Sequence, residues 1–136
     1  MQLLPRGVFA MSGKRRFVLD TNAVVSLLGG NLELAVKLEA AEYVGISIIT
    51  CLEFLAFDGL SDADRKSFER FAARVEIVPL TYDDKKLLTI SLNLRNTKSL
   101  KLPDAIIGAT AISRNSLLVT NDGHFSGIPS LAIQGC

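Results

Sequence analysis

Four acidic side chains stand where a carboxylate is hard to account for as ordinary surface charge. Asp20 ends an apolar run in VLDTN, Glu53 lies within SIITCLEFL, Asp104 opens LPDAIIGATA, and Asp122 follows an apolar run in VTNDGHF. Burying isolated carboxylates costs several kcal/mol or more, and clustering them raises the pKa of some. Something positive must compensate. A hard divalent ion such as Mg²⁺ or Mn²⁺ does so directly, because carboxylates and water are its preferred ligands. Basic residues from elsewhere in the fold are the other candidate, although no Lys or Arg is the sequence neighbour of any of the four. The lone histidine, His124, and the two cysteines, Cys51 and Cys136, exclude a histidine cluster, a thiol metal site and a disulfide framework. Any metal here is an oxygen-bound one.

Each acid also has a structural role to weigh. Asp20 suits the N-cap of a following helix, and Asp104 would complement a helix dipole. Asp122 sits in an Asn-Asp-Gly sequence that favours a turn. Glu53, between Cys51, Leu52, Phe54 and Leu55, is the hardest to explain structurally, because a helix packed against protein would bury its charge. Taken jointly, the four favour a metal. Thr50 and Ser47 read as core or capping hydroxyls.

The elements that must position these residues alternate between strand and helix. Arg16 to Leu19 reads as a strand, Ala23 to Leu28 as a helix closed by Gly29 and Gly30, and Leu32 to Glu42 as a helix capped by Asn31. Tyr43 to Ile46 is a strand, and Ser47 caps a helix from Ile48 to about Phe57. Ser61 with Asp64 resembles a capping box opening a helix to about Ala73, and Thr81 with Asp84 repeats the device ahead of a helix to about Asn96. Val75 to Val78 lies between them as a strand. A polar, basic loop covers Thr97 to Leu102, Pro103 suits the first position of a helix to about Ser113, and Leu117 to Thr120 and Leu131 to Gln134 complete the strands. Strands separated by such helices imply a mainly parallel central sheet of about four to five strands, flanked by helices on both faces. Function then belongs beyond the carboxyl ends of the strands, where all four acids fall.

At 136 residues the chain suits one domain. Its 49% apolar content is high, yet charges or Gly interrupt every long apolar stretch, so no membrane span is expected. The N-terminus lacks the basic-then-apolar order of a secretory signal, which makes the cytoplasm the expected location. Met11 stands shortly before the first strand, so residues 1–10 read as an upstream-start extension or an expression remnant, and 11–136 as the domain. Net charge is +1, with Arg95, Lys98 and Lys101 falling together without an intervening acid.

The order LDTN, ITCLEF, LPDAIIGATA, VTNDGHF, from Phe17 to Ile133, resembles the PIN-domain family and is most similar to VapC-type toxins. No single motif would suffice; four in this order are specific. The resemblance implies a metal-dependent endoribonuclease, the toxin of a type II toxin-antitoxin pair, with Asp20, Glu53, Asp104 and Asp122 as the metal-binding acids. It also implies that Asn22 and Thr120 orient carboxylates or the attacking water, with Asn121 a further contributor. Asp122 ranks last of the four, since the family varies most around it. His124, beside Phe125, matches a common tail of the fourth motif and reads as loop packing.

Phosphodiester hydrolysis needs a nucleophile at neutral pH and dispersal of transition-state charge, and Mg²⁺ or Mn²⁺ provides both. By resemblance the substrate is RNA, cleaved to a 5′-phosphate and a 3′-hydroxyl. Arg95, Lys98 and Lys101, just before Asp104, are the candidates for holding its backbone. A homodimer and a cognate antitoxin covering the active site are further implications. A haloacid-type phosphatase needs a second Asp where this chain has Asn22, and a receiver domain needs paired acids after the first strand, so both fall away. The competing reading is a catalytically silent PIN-like module that binds RNA or protein, against which the intact acidic set argues.

Overall fold

The computed structural model describes residues 15–128 and 131–135. The expected N-terminal extension, residues 1–10, lies outside the described residues, as does Cys136. The chain forms β1 (Arg16–Leu19), α1 (Thr21–Leu28), α2 (Leu32–Glu39), β2 (Tyr43–Ser47), α3 (Ile48–Leu55), α4 (Asp62–Ala72), β3 (Glu76–Val78), α5 (Lys85–Thr97), α6 (Leu102–Ser113), β4 (Leu117–Val119), a 3₁₀ turn (Gly123–Phe125) and β5 (Ile133–Gln134).

The five strands form one sheet in the order β3-β2-β1-β4-β5. Every neighbouring pair is parallel, with Val18 of β1 facing Gly45 of β2 on one side and Leu118 of β4 on the other. Side chains alternate between the faces of a strand, and the core divides accordingly. Val18, Val78 and Leu118 join Leu87 and Leu94 of α5 and Ile107 of α6 in one apolar cluster. Phe17, Leu19, Ile46 and Val119 join Ala23 and Val24 of α1, Leu34 of α2, Phe54 of α3 and Phe68 of α4 in the other. There the Phe54 and Phe68 rings stack with centroids 4.9 Å apart. Helices thus cover both faces, as the sequence pattern requires.

Local signals explain most element boundaries. Asn31 caps α2 by accepting from the amide of Leu34 at 3.0 Å, Ser47 caps α3 through the amide of Ile49 at 3.0 Å, and Ser61 with Asp64 forms the reciprocal capping box of α4. The second expected box does not form. Asp84 itself caps α5, accepting from Leu87 N at 3.1 Å, because the chain turns at residues 82–83 before the helix begins. Pro103 falls at the second rather than the first position of α6, which starts at Leu102. Helices α2 and α3 stop two to three residues short of their expected ends, at Glu39 and Leu55. Among the described residues, no helix is long and apolar enough to cross a membrane.

The sheet reverses its direction of growth at β1. The chain first adds β2 and β3 on one side, then returns to place β4 and β5 on the other. The crevice at such a reversal is where open α/β sheets bind ligands. The amide of Asp20, just past β1, donates to the carbonyl of Val119 at the end of β4 at 3.2 Å, which brings the two strand ends together at that crevice.

Candidate active site

Asp20 is buried, 5% exposed, and N-caps α1, its Oδ1 accepting from the Ala23 amide at 2.8 Å. The hydroxyl of Thr120 donates to the same carboxylate. Burial pushes the Asp20 pKa above the ordinary aspartate value, and the Asp122 and Glu53 carboxylates push in the same direction; the Thr120 and Ala23 hydrogen bonds oppose them. The capping role expected as an alternative is therefore real and coexists with a place in the site. A carboxylate has about four acceptor positions, and the cap uses one.

Asp104 lies in the first turn of α6, half-buried. Its pKa is also raised, first by burial and then by Asp122, Glu53 and, more weakly, Asp20, while His124 opposes the rise. Asp122 follows β4 and is half-buried. Its Oδ1 caps the 3₁₀ turn through the His124 amide at 2.8 Å and meets His124 Nδ1 at 2.8 Å. The expected turn role of Asp122 is thus present as well. His124 is exposed and paired to Asp122 rather than packed into the loop.

Glu53 corrects the sequence reading on one point. It is exposed, as is Leu52 before it, because α3 turns its Phe54 side to the core and leaves the Leu52–Glu53 side open. Glu53 is held instead by the hydroxyl of Thr21, the first residue of α1, which donates to Oε1. Cys51 is half-buried, and burial raises its thiol pKa, so it is not a reactive thiolate.

The four acids, from four separated stretches of chain, surround one cavity of about 280 Å³ together with Thr21, Asn22 and Ile107. Thr120 lies behind this lining, joined to Asp20 by its hydroxyl hydrogen and to Asp122 by accepting that residue's amide at 2.9 Å. Asn22 lines the cavity and is exposed. Arg95, Lys98 and Lys101 are exposed and are not part of the lining; Lys101 immediately precedes α6, three residues before Asp104. Sequence reasoning missed Thr21 and Ile107. The first had a signal, since a hydroxyl directly after a strand-ending Asp enters the next helix at the same crevice. A larger hollow of about 610 Å³, lined by Leu27, Leu38, Tyr43, Phe71 and neighbours, contains none of the four acids. Chemistry, not size, selects the smaller one.

Among the described residues the ion pairs are Arg16 with Glu42, Arg74 with Glu39, Arg114 with Glu76, and His124 with Asp122. No Lys or Arg in that set neutralises an acid of the cavity. An all-oxygen donor set with uncompensated negative charge fits a hard cation. Among the described residues, no group of three or more His, Cys, Asp or Glu side chains is arranged to hold an ion as it stands. Mg²⁺ usually keeps several waters and takes only one or two carboxylates directly.

A parallel sheet wrapped by helices, with four carboxylates gathered at its switch point, defines an α/β protein with an acidic crevice suited to a divalent cation. The PIN domain family model matches residues 17–131, and the chain belongs to that family. Among solved structures, it is similar to a toxin-antitoxin complex from Klebsiella pneumoniae, at 30% identity and a TM-score of 0.70 over 85% of this chain and 94% of that one. It also shares its fold with VapBC2 from Rickettsia felis bound to a DNA fragment from their promoter, at 24% identity and a TM-score of 0.69 over 88% and 98% of the two chains. VapBC-1 from nontypeable Haemophilus influenzae matches at 22% identity and a TM-score of 0.71 over 88% and 96%. A comparison with curated proteins gave no match.

Proposed function

We propose that the chain is a divalent-metal-dependent endoribonuclease, the toxin of a type II toxin-antitoxin pair, which acts in the cytoplasm as a homodimer and is restrained by a cognate antitoxin. The observation that carries the nuclease reading is the convergence of Asp20, Glu53, Asp104 and Asp122 on one cavity at the switch point, within a family match spanning residues 17–131. Similarity to a toxin-antitoxin complex from Klebsiella pneumoniae supports the antitoxin.

Bound Mg²⁺ or Mn²⁺ supplies an acidified water and polarises a phosphoryl oxygen. Asp20 would hold it with the carboxylate oxygen positions left free by the Ala23 amide and Thr120 hydroxyl. Asp104 and Glu53 would contribute directly or through water, as would Asp122, whose Oδ1 is also met by His124. One of these carboxylates would take the proton of the attacking water. Asn22 and Thr120 orient water and carboxylates. Arg95, Lys98 and Lys101 hold the RNA backbone on the approach to α6, offsetting the repulsion between phosphate and an acidic site. The products are a 5′-phosphate and a 3′-hydroxyl.

RNA cleavage by the wild type and by Asp20→Asn, each with Mg²⁺ or Mn²⁺ and with a chelator, tests the proposal. Cleavage confined to metal-loaded wild type is expected. Cleavage that survives both the substitution and the chelator contradicts it, and no cleavage under any condition favours a catalytically silent RNA- or protein-binding module.

A further inference from the structure

We infer that Thr21 is a positioning residue that fixes Glu53 toward the metal, a role that rests on the metal-dependent reading of the cavity. Glu53 enters the cavity from an exposed stretch of α3. A glutamate in that setting has several rotamers open to it, and ordering it costs side-chain entropy. The partner the structure shows for its carboxylate is the Thr21 hydroxyl, which donates to Oε1.

The geometry of Thr21 makes this contact firm. Thr21 is the first residue of α1, one position after Asp20, whose own carboxylate is tied down by the Ala23 amide at 2.8 Å. The helix start is therefore fixed to the end of β1, and a β-branched side chain on it has restricted χ1 freedom. Thr21 also lines the cavity itself. A hydroxyl that gives its hydrogen to Oε1 leaves Oε2 to meet the cation or one of its waters. Two ligating acids from different elements, Asp20 after β1 and Glu53 on α3, are in this way coupled through adjacent residues of a single helix start. Groups that orient metal-binding side chains typically change metal affinity 10- to 100-fold when removed.

The test is Mn²⁺ affinity measured by calorimetry without RNA, on wild type, Thr21→Val and Thr21→Ser, each also in a Glu53→Gln background, with the metal-free melting temperature recorded for each. Thr21→Val is expected to weaken Mn²⁺ binding about 10-fold or more with the metal-free melting temperature little changed, and Thr21→Ser to restore affinity to within about 3-fold of wild type. In the Glu53→Gln background Thr21→Val should add no further loss, since the two residues act as one unit. With RNA, Thr21→Val should lower kcat and leave KM nearly unchanged. Equal affinity in wild type and Thr21→Val overturns the role, as does a Thr21→Ser protein as weak as Thr21→Val, which would point to the methyl group instead. A full further loss in the Glu53→Gln background also overturns it. A wild type that binds no Mn²⁺ overturns the metal reading itself and this role with it, an outcome distinct from the other three.

Discussion

The amide of Asp122 donates to Thr120 Oγ1 at 2.9 Å while the Thr120 hydroxyl donates to Asp20. One buried threonine therefore ties the acid that follows β1 to the acid that follows β4, across two adjacent strands of the sheet. Thr120→Val removes both bonds with little change in volume. It should leave the Asp122 amide unpaired at a half-buried site, costing about 1–3 kcal/mol of stability, and should weaken metal-dependent cleavage about 10- to 100-fold. Thr120→Ser should retain most of both. Denaturant melts and single-turnover cleavage rates check this; a Thr120→Val protein as active as wild type would contradict it.

Asp20 and Asp104 have pKa values raised above the usual aspartate range, chiefly by burial. A raised acid makes the folded state bind more protons than the unfolded state between the two pKa values, so stability falls as pH climbs through that window. Metal-free protein should accordingly be less stable at pH 7 than near pH 4, as far as these two groups contribute. Asp20→Asn keeps an acceptor for the Ala23 amide and removes the charge. In chelator at pH 7 it should melt a few degrees above wild type, with a flatter pH dependence, and Mn²⁺ should raise the wild-type melting temperature more than that of the variant. Thermal melts across pH test this, and an Asp20→Asn protein that is less stable than metal-free wild type at pH 7 would refute it.

At the opposite end of the sheet, Tyr43 lies across Gly45, two residues on along the same face of β2. A methyl group at position 45 would overlap the Tyr43 hydroxyl and come within 2.9 Å of its Cζ. The ring cannot yield freely: its hydroxyl donates to Glu76, which Arg114 grips through Nε and Nη2 at 3.0 and 3.2 Å, and Arg16 stacks 4.4 Å from its centroid. Gly45→Ala should cost about 1–3 kcal/mol, and less in a Tyr43→Ala background where the ring is gone. Mn²⁺ binding should be unaffected, because none of these residues lines the acidic cavity. A Gly45→Ala protein as stable as wild type in urea would contradict the account.

Replacing Arg95, Lys98 and Lys101 together by Ala should weaken RNA binding and reduce the steepness of its salt dependence. Each lost phosphate contact to a single strand lowers the slope of log K against log salt by about 0.7, so up to about 2 in all. Fluorescence anisotropy with a labelled RNA measures it at several salt concentrations. An unchanged slope would remove these residues from the RNA path.

The alternation of strands and helices was legible because β1, β2 and β4 are short apolar runs bounded by polar or turn residues, and because Asn31, Ser47 and Ser61 announce their helices. The placement of Asp20 and Asp122 followed from the same pattern, since each comes shortly after one of two strands that the topology brings side by side. The exposure of Glu53 was not legible. Its apolar neighbours suggested burial, but which of them face inward depends on how α3 rotates against the sheet, and only Phe54 does so fully. The Thr21 to Glu53 bond spans 32 residues and needs the tertiary fold to be seen. Asp84 displaced the expected Thr81 cap because a turn intervenes, a choice between two plausible caps that local sequence does not decide.

The most direct test is a crystal grown with Mn²⁺ and measured for anomalous scattering. A peak inside the cavity, bound by Asp20 together with Asp104 or Glu53 directly or through water, is the result this account predicts. Fully ordered Asp20, Glu53, Asp104 and Asp122 side chains with no anomalous density among them, at Mn²⁺ concentrations in the millimolar range, would contradict it.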